Sequence, residues 1–293
     1  MHVLRPSEMT LKNWFSLVPT EGDLVFFKNR AQAEEFQFLQ VPLYTFHEVN
    51  VQSADLMGLN ERSWYGYSLG QAAFCMKLPA GVIESLEPRR QRRLLQIQRK
   101  IQVPTLVRSR ARGFPRHDSL VWITAQSWRQ SPTAEKLQVL KAYYEQNPRI
   151  EKYPRLPLRE LSAKAKDALK EYHLQSFVYE FARHSGPNCF ALVAQAFSPH
   201  PRRIAESWLH WPPLKRFLLS QGFRKTSDPH TRKGDVLVLM AGTYALHGSL
   251  ALDENFVIEK PGQDFYEPYL ISSLKKPRPF WRNTTLHRWR RDS

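Results

Sequence analysis

Apolar positions follow helical spacing in some parts of this chain and alternate or cluster in short runs in others, and the changes between them outline its elements. Leu11, Trp14, Phe15 and Leu17 form a short amphipathic stretch. A turn at Thr20-Glu21-Gly22-Asp23 leads into the run Leu24 to Phe27, which predicts a strand. Residues 31–39 read as helix, Pro42 closes that unit, and Leu43 to Val49 predicts a second strand. Residues 50–81 fit strand or buried helix equally well. Val82, Ile83, Leu86, Leu94, Leu95, Ile97 and Ile101 then carry a helical stripe, with a restart at Pro88 placing that proline in a first turn. Ser119 to Ala125 predicts a strand. Pro132 to Gln146 predicts a helix capped by Ser131, with Glu135 near the position that completes a capping box.

The pattern changes after the proline cluster Pro148, Pro154 and Pro157, which is the best candidate boundary. Leu161, Ala165, Ala168 and Leu169 mark an amphipathic helix. A second helix begins at Cys189 and stops at Ser198-Pro199, and a third runs from Pro212 to Gln221 and ends at Gly222. Short strands are expected at 235–240, 246–252 and 256–260, with a fourth near 266–271. The Asp253-Glu254-Asn255 turn makes a hairpin that pairs residues near 258–260 with residues near 247–249. Helices followed by an antiparallel meander predict an α+β fold. The expected division is 1–150, a mixed α/β domain of open role, and 151–293, helices packed on a small antiparallel sheet.

Composition adds a charge imbalance to this outline. Hydrophobic residues make up 42% of the 293, enough for packed cores, and the formal net charge is +16. Between Arg89 and Arg116 there is no acid, and Arg89, Arg90, Arg92 and Arg93 open that run. Such a run reads either as a polyanion-binding surface or as a solvated helix face. The stretch from Lys275 to Arg291 interleaves basic and aromatic residues. It reads as an anion-binding tail or as a segment whose Phe280, Trp281 and Trp289 fold back onto the N-terminal half. Residues 1–19 lack the features of a signal peptide and no long apolar run occurs, so a cytoplasmic chain without integral membrane association is expected.

Two cysteines, Cys75 and Cys189, make no disulfide framework. No histidine or cysteine spacing suggests a metal, and no cofactor-binding fingerprint occurs. Cys189 follows Gly186-Pro187-Asn188 at a helix start. There the unpaired N–H groups and the helix dipole favour a thiolate and could receive an oxyanion, with Gly186 and Asn188 lining the substrate side. His247 lies in a strand whose face it shares with the small residues Ser249 and Ala251, leaving room for a helix terminus to pack close. Glu259, one hairpin strand later, is placed to orient the imidazole.

The order Asn188-Cys189-Phe190, Lys233-Gly234-Asp235-Val236, His247 and Glu259 resembles the NlpC-type cysteine peptidases of the papain-like superfamily over roughly residues 160–272. That resemblance implies a papain-like C-terminal domain with Cys189 as nucleophile, His247 as base and Glu259 as orienting residue. The family's usual Asp-Cys-Ser-Gly is here Asn-Cys-Phe-Ala, and its usual His, Asn or Gln in the third role is Glu. The expected function is a thiol-dependent hydrolase or acyltransferase on an amide or ester bond, peptidase or amidase first, needing no cofactor and no metal. The alternative is a non-catalytic binding or scaffold protein whose basic surface holds nucleic acid or another polyanion.

Overall fold

The computed structural model describes residues 4–18, 20–45, 72–103, 105–117, 119–146, 156–198, 204, 207–275 and 283–291. Helices and antiparallel sheets make it an α+β chain. It forms two compact units, Ser7–Pro148 on one side and Met1–Pro6 together with Arg149–Ser293 on the other. No helix among the described residues is long and apolar enough to cross a membrane.

In the unit Ser7–Pro148, helix α1 (Glu8–Asn13) is capped by Ser7, whose hydroxyl accepts from the Thr10 amide. Strand β1 (Gly22–Phe27) precedes α2 (Arg30–Glu34), β2 (Leu43–Thr45) and β3 (Phe74–Pro79). The strands are ordered β1-β3-β2, all antiparallel, with Phe27 opposite Phe74. The ambiguous Ala72 to Met76 run is therefore strand from Phe74 onward, while Phe46 to Val49 and residues 50–71 lie outside the described residues. Every residue of β1 is buried. On the side away from β3, the fully buried Gln98 serves its backbone: Phe26 N donates to Gln98 Oε1 at 2.9 Å, and Gln98 Nε2 donates to Phe26 O at 2.8 Å. Gln98 belongs to α4 (Pro88–Ile101), which follows α3 (Val82–Ser85) and has Pro88 in its first turn; Leu94, Leu95, Ile97 and Ile101 face inward with it.

A second small sheet of β4 (Leu106–Arg108), β5 (Arg116–His117) and β6 (Leu120–Trp122) has the order β4-β6-β5. It is followed by α5 (Ala125–Gln130) and α6 (Thr133–Glu145). The capping box lies one helix earlier than the sequence pattern predicts. Thr124 and Ser127 form it at the start of α5, Ser131 ends α5, and the Glu135 carboxylate accepts from the Arg112 amide at 2.6 Å. With Pro132 at its start, α6 has no side-chain cap.

Asp23 is the charged anomaly of this unit. Its Oδ1 accepts from Ala125 N at 2.7 Å, while its Oδ2 is buried without a hydrogen-bond partner among the described residues. Burial, reinforced by the nearby Glu84, pushes its pKa up to about 7 against the opposing Ala125 N–H and Arg129. The folded chain thus keeps a proton there that the unfolded chain releases near pH 4, so stability falls as pH rises from about 4 to about 7. Asp23→Asn keeps an acceptor for Ala125 and removes the charge. It should flatten that slope and stabilise the chain at pH 8 by an amount on the order of 3 kcal/mol, measured by urea unfolding across pH. An unchanged slope would show that Asp23 is ionised in the folded state.

In the other unit, Ser162 caps α7 (Ala163–Glu171), and α8 (Cys189–Ala196) and α9 (Trp211–Ser220) follow. The sheet has six antiparallel strands: β7 (Phe223–Thr226), β8 (Val236–Ala241), β9 (Tyr244–Ala251), β10 (Phe256–Glu259), β11 (Leu270–Ser273) and β12 (Thr285–Arg291). Their order is β11-β10-β9-β8-β12-β7. The Asp253 carboxylate accepts from the amides of Asn255 and Phe256, which closes the β9–β10 turn.

Only part of the basic-aromatic tail is described. Residues 276–282 lie outside the described residues, but β12 is a strand between β8 and β7. Its Trp289 is buried with the ring 5.5 Å from that of Trp211, and its backbone pairs with strands of its own unit. Arg290 locks it: Nε and Nη2 each donate at 2.7 Å to Asp235, Nη1 donates at 2.7 Å to Asp228, and Nη2 also donates to His230 O.

Candidate active site

Cys189 is the first residue of α8, and Asn188 is its cap. Asn188 Oδ1 accepts from Ala191 N at 3.0 Å, and Nδ2 donates to Leu209 O at 2.7 Å. Both ends of that amide are therefore engaged in holding the helix start. Gly186 has φ +120°, a conformation that disfavours side chains, and its N–H donates to Gln263 O at 2.9 Å. That donor too is spent on structure. The amides of Cys189 and Phe190 have no protein acceptor among the described residues, so two N–H groups remain at the positive end of α8.

The small residue that brings α8 onto β9 is Gly248, not Ser249 or Ala251. A Cβ on Gly248 would meet Phe190 Cδ1 at 2.9 Å, whereas Ala251 packs with Leu237, Val257 and Leu274. The hairpin register puts Ile258 opposite Leu250, so Glu259 continues opposite Ser249. That places Glu259 on the face His247 shares with Ser249 by alternation; a slip by one residue would turn it to the other side.

The three residues singled out as catalytic come together. His247 Nε2 lies 2.8 Å from Glu259 Oε2. The Cys189 sulfur is near enough to act on the charge of the same imidazole; with Nε2 turned to Glu259, Nδ1 is the nitrogen left to face sulfur. His247 is 1% exposed, and Cys189 and Glu259 are each 7% exposed. Burial opposes charge on the imidazole. The negative sulfur of Cys189 and the Glu259 carboxylate outweigh it, and the His247 pKa is pushed up to about 9. The other cysteine, Cys75, is fully buried in β3 with no exposed surface.

Sequence reasoning did not single out Lys260. It is fully buried, and its Nζ donates at 2.9 Å to both Gly262 O and Asp264 O. Burial draws its pKa below the usual lysine range, opposed by Glu267, Asp264 and the Cys189 sulfur. The 260–267 loop that it ties together is fastened to the turn before Cys189 by Gly186 N to Gln263 O and by Phe265 N to Ser185 Oγ. The only hint in the sequence is a lysine directly before Pro261-Gly262. Nearby, Ser249 Oγ is buried without a hydrogen-bond partner among the described residues.

The arginines read as a polyanion surface lie on α4, and two of the four have internal partners. Arg93 makes a two-pronged ion pair with Glu35, at 2.7 and 2.8 Å, and Arg90 sits 3.9 Å over the Phe38 ring. Arg89 and Arg92 remain exposed. Among the described residues, no group of three or more His, Cys, Asp or Glu is arranged to hold a metal ion. No protein-family model matches the chain, and no curated protein sequence matches it.

Proposed function

We propose that the protein is a thiol-dependent hydrolase or acyltransferase acting on an amide or ester bond, with a papain-like C-terminal unit of the NlpC type. The observation that carries this reading is His247, one buried imidazole held by Glu259 at 2.8 Å and acted on by the Cys189 sulfur. That is the nucleophile, base and orienting group of thiol acyl transfer. A helix that starts at the nucleophile and packs on the strand bearing the histidine supports the papain-like assignment.

In this reading the Cys189 thiolate adds to the substrate carbonyl carbon, and the oxyanion that forms is received by the amides of Cys189 and Phe190. The His247 imidazolium gives its proton to the departing amine or alcohol as the C–N or C–O bond breaks, leaving a thioester on sulfur. The now neutral imidazole takes a proton from water, or from an acceptor amine or alcohol, as its oxygen or nitrogen attacks the thioester, and Cys189 is restored. Glu259 holds the ring tautomer and balances its charge throughout. The two free thiols suit a cytoplasmic setting, where they stay reduced. Asn188, Gly186 and Lys260 hold the nucleophile turn and the neighbouring loop.

The test is site-selective labelling of the folded chain. A peptide-like acyl electrophile at pH 7 should modify Cys189 and leave Cys75 untouched, and Cys189→Ala should abolish labelling while circular dichroism and melting stay as in the wild type. Labelling of both thiols at equal rates, or of neither, would overturn the reading.

A further inference from the structure

A hollow of about 420 Å³ in the unit Ser7–Pro148 lies between β4 and α6, lined by Arg108, Ser109, Arg110, Ser119, Lys141 and Glu145, with Gln138 and Ala142 completing it. Arg108, Arg110 and Lys141 are exposed, and none of the three has an ion-pair partner among the described residues. That contrasts with Arg93, which is neutralised by Glu35. The frame beneath the cations is firm. Arg108 N donates to Gln146 Oε1 and Gln146 Nε2 donates to Arg108 O, both at 2.7 Å, fastening the end of β4 to the C-terminal end of α6 one turn after Lys141. The lining also offers the Ser109 and Ser119 hydroxyls and the Gln138 amide. Three cations face one acid, Glu145, so the hollow attracts an anion.

The lining also points to the kind of anion. No aromatic side chain lines the hollow, so nothing there stacks on a base. Charged forks and hydroxyls are the groups that hold phosphate and sugar. Exposed cations continue outside it along the same acid-free stretch, at Arg112 and Arg116, which a lone phosphate would not use but a strand of phosphates would. We propose that this hollow is a docking site for the sugar-phosphate backbone of a nucleic-acid strand, reading charge and not base sequence, with Arg108, Arg110 and Lys141 as its anchors. It rests on none of the thiol chemistry above and moves the polyanion contact away from the half-committed arginines of α4.

The test uses the full chain and fluorescein-labelled single-stranded RNA and DNA of about 20 nucleotides, with binding followed by anisotropy between about 50 and 300 mM NaCl. If each anchor neutralises one phosphate, Arg108→Ala/Arg110→Ala/Lys141→Ala should weaken binding about 100-fold near 0.1 M salt and flatten the log-log salt slope by about 2. The loss should be the same for oligonucleotides of different sequence. Arg89→Ala/Arg92→Ala should lose less, and Glu145→Gln should tighten binding, a gain that misfolding cannot mimic. Wild-type chain that fails to bind at about 50 mM salt, an unchanged slope in the triple variant, or tighter anchor-dependent binding to phosphatidylserine vesicles than to oligonucleotide would each overturn the proposal.

Discussion

His247→Ala should slow alkylation of Cys189 by iodoacetamide at pH 6 about 100-fold, while barely changing the rate at pH 10. An unassisted cysteine ionises near pH 8.5 and is only about 0.3% thiolate at pH 6. His247 holds its proton to about pH 9 beside the sulfur, and a cationic imidazole beside a cysteine is the general arrangement that favours the reactive thiolate. Removing the ring removes that cation. Glu259→Gln is the gentler probe. It keeps a hydrogen-bond partner at 2.8 Å from Nε2 but removes the carboxylate charge. The His247 pKa is raised, so its proton is present below about 9 and lost above it. The alkaline limb of any acyl-transfer activity should therefore move down in Glu259→Gln, by about one pH unit. Because His247 is buried and its loss strands Glu259, His247→Gln serves as a second variant. The same slow alkylation from a chain with wild-type melting would assign the effect to chemistry rather than to unfolding. A wild-type rate in both histidine variants at pH 6 would mean that Cys189 does not depend on the imidazole.

Arg290→Ala should cost about 2–3 kcal/mol, seen as a fall of roughly 6–10 °C in the thermal midpoint of the C-terminal unit. Asp235 is 1% exposed and accepts two of the Arg290 donors. Alanine leaves that buried carboxylate with the Arg232 amide as its remaining partner, at 2.8 Å, and a buried charge that loses its counter-ion is among the costly defects of folded chains. The Asp228 end is more exposed and adds less, although the Arg290 guanidinium holds its pKa down to about 2. That contribution is present above about pH 4 and is lost as pH falls through about 2. Arg290→Lys keeps a charge but cannot span both oxygens of Asp235 and a second acid, so it should recover no more than half of the loss. A midpoint unchanged in Arg290→Ala would show that backbone pairing alone holds β12.

Much of this was legible in the sequence because it depends on neighbours close along the chain. The turn before Cys189, the proline restart of α4, the glycine after α9 and the Asp253 hairpin are all set within a few residues. The meeting of His247 with Glu259 followed from one tight turn. What stayed hidden depends on distant partners. Helix α5 is six residues long and took the cap that seemed to belong to α6. Lys260 is buried because a loop folds its carbonyls over the ammonium, and no local pattern announces that. Strand β12 is rich in arginine and alternates poorly, so nothing in its own residues shows that Asp228 and Asp235, some sixty positions earlier, turn it from a charged tail into part of a sheet. Leu4 to Pro6 belong to the same unit as Arg149–Ser293, and nothing in their own sequence signals it.

The place of β12 also bears on solubility. Strand β8 reads Val-Leu-Val-Leu-Met-Ala, without a charge, a proline or a glycine, and β12 pairs with it from Met240 to Val236. Uncharged β-prone runs of that kind, when their backbone groups stand open, are templates on which copies of a chain stack and precipitate. The arginines and histidine of β12 make it the gatekeeper against that outcome. A lesion that loosens β12 should therefore announce itself as turbidity and loss of soluble protein on mild warming, before any change at Cys189, because the hairpin that carries His247 and Glu259 lies on the other side of β8.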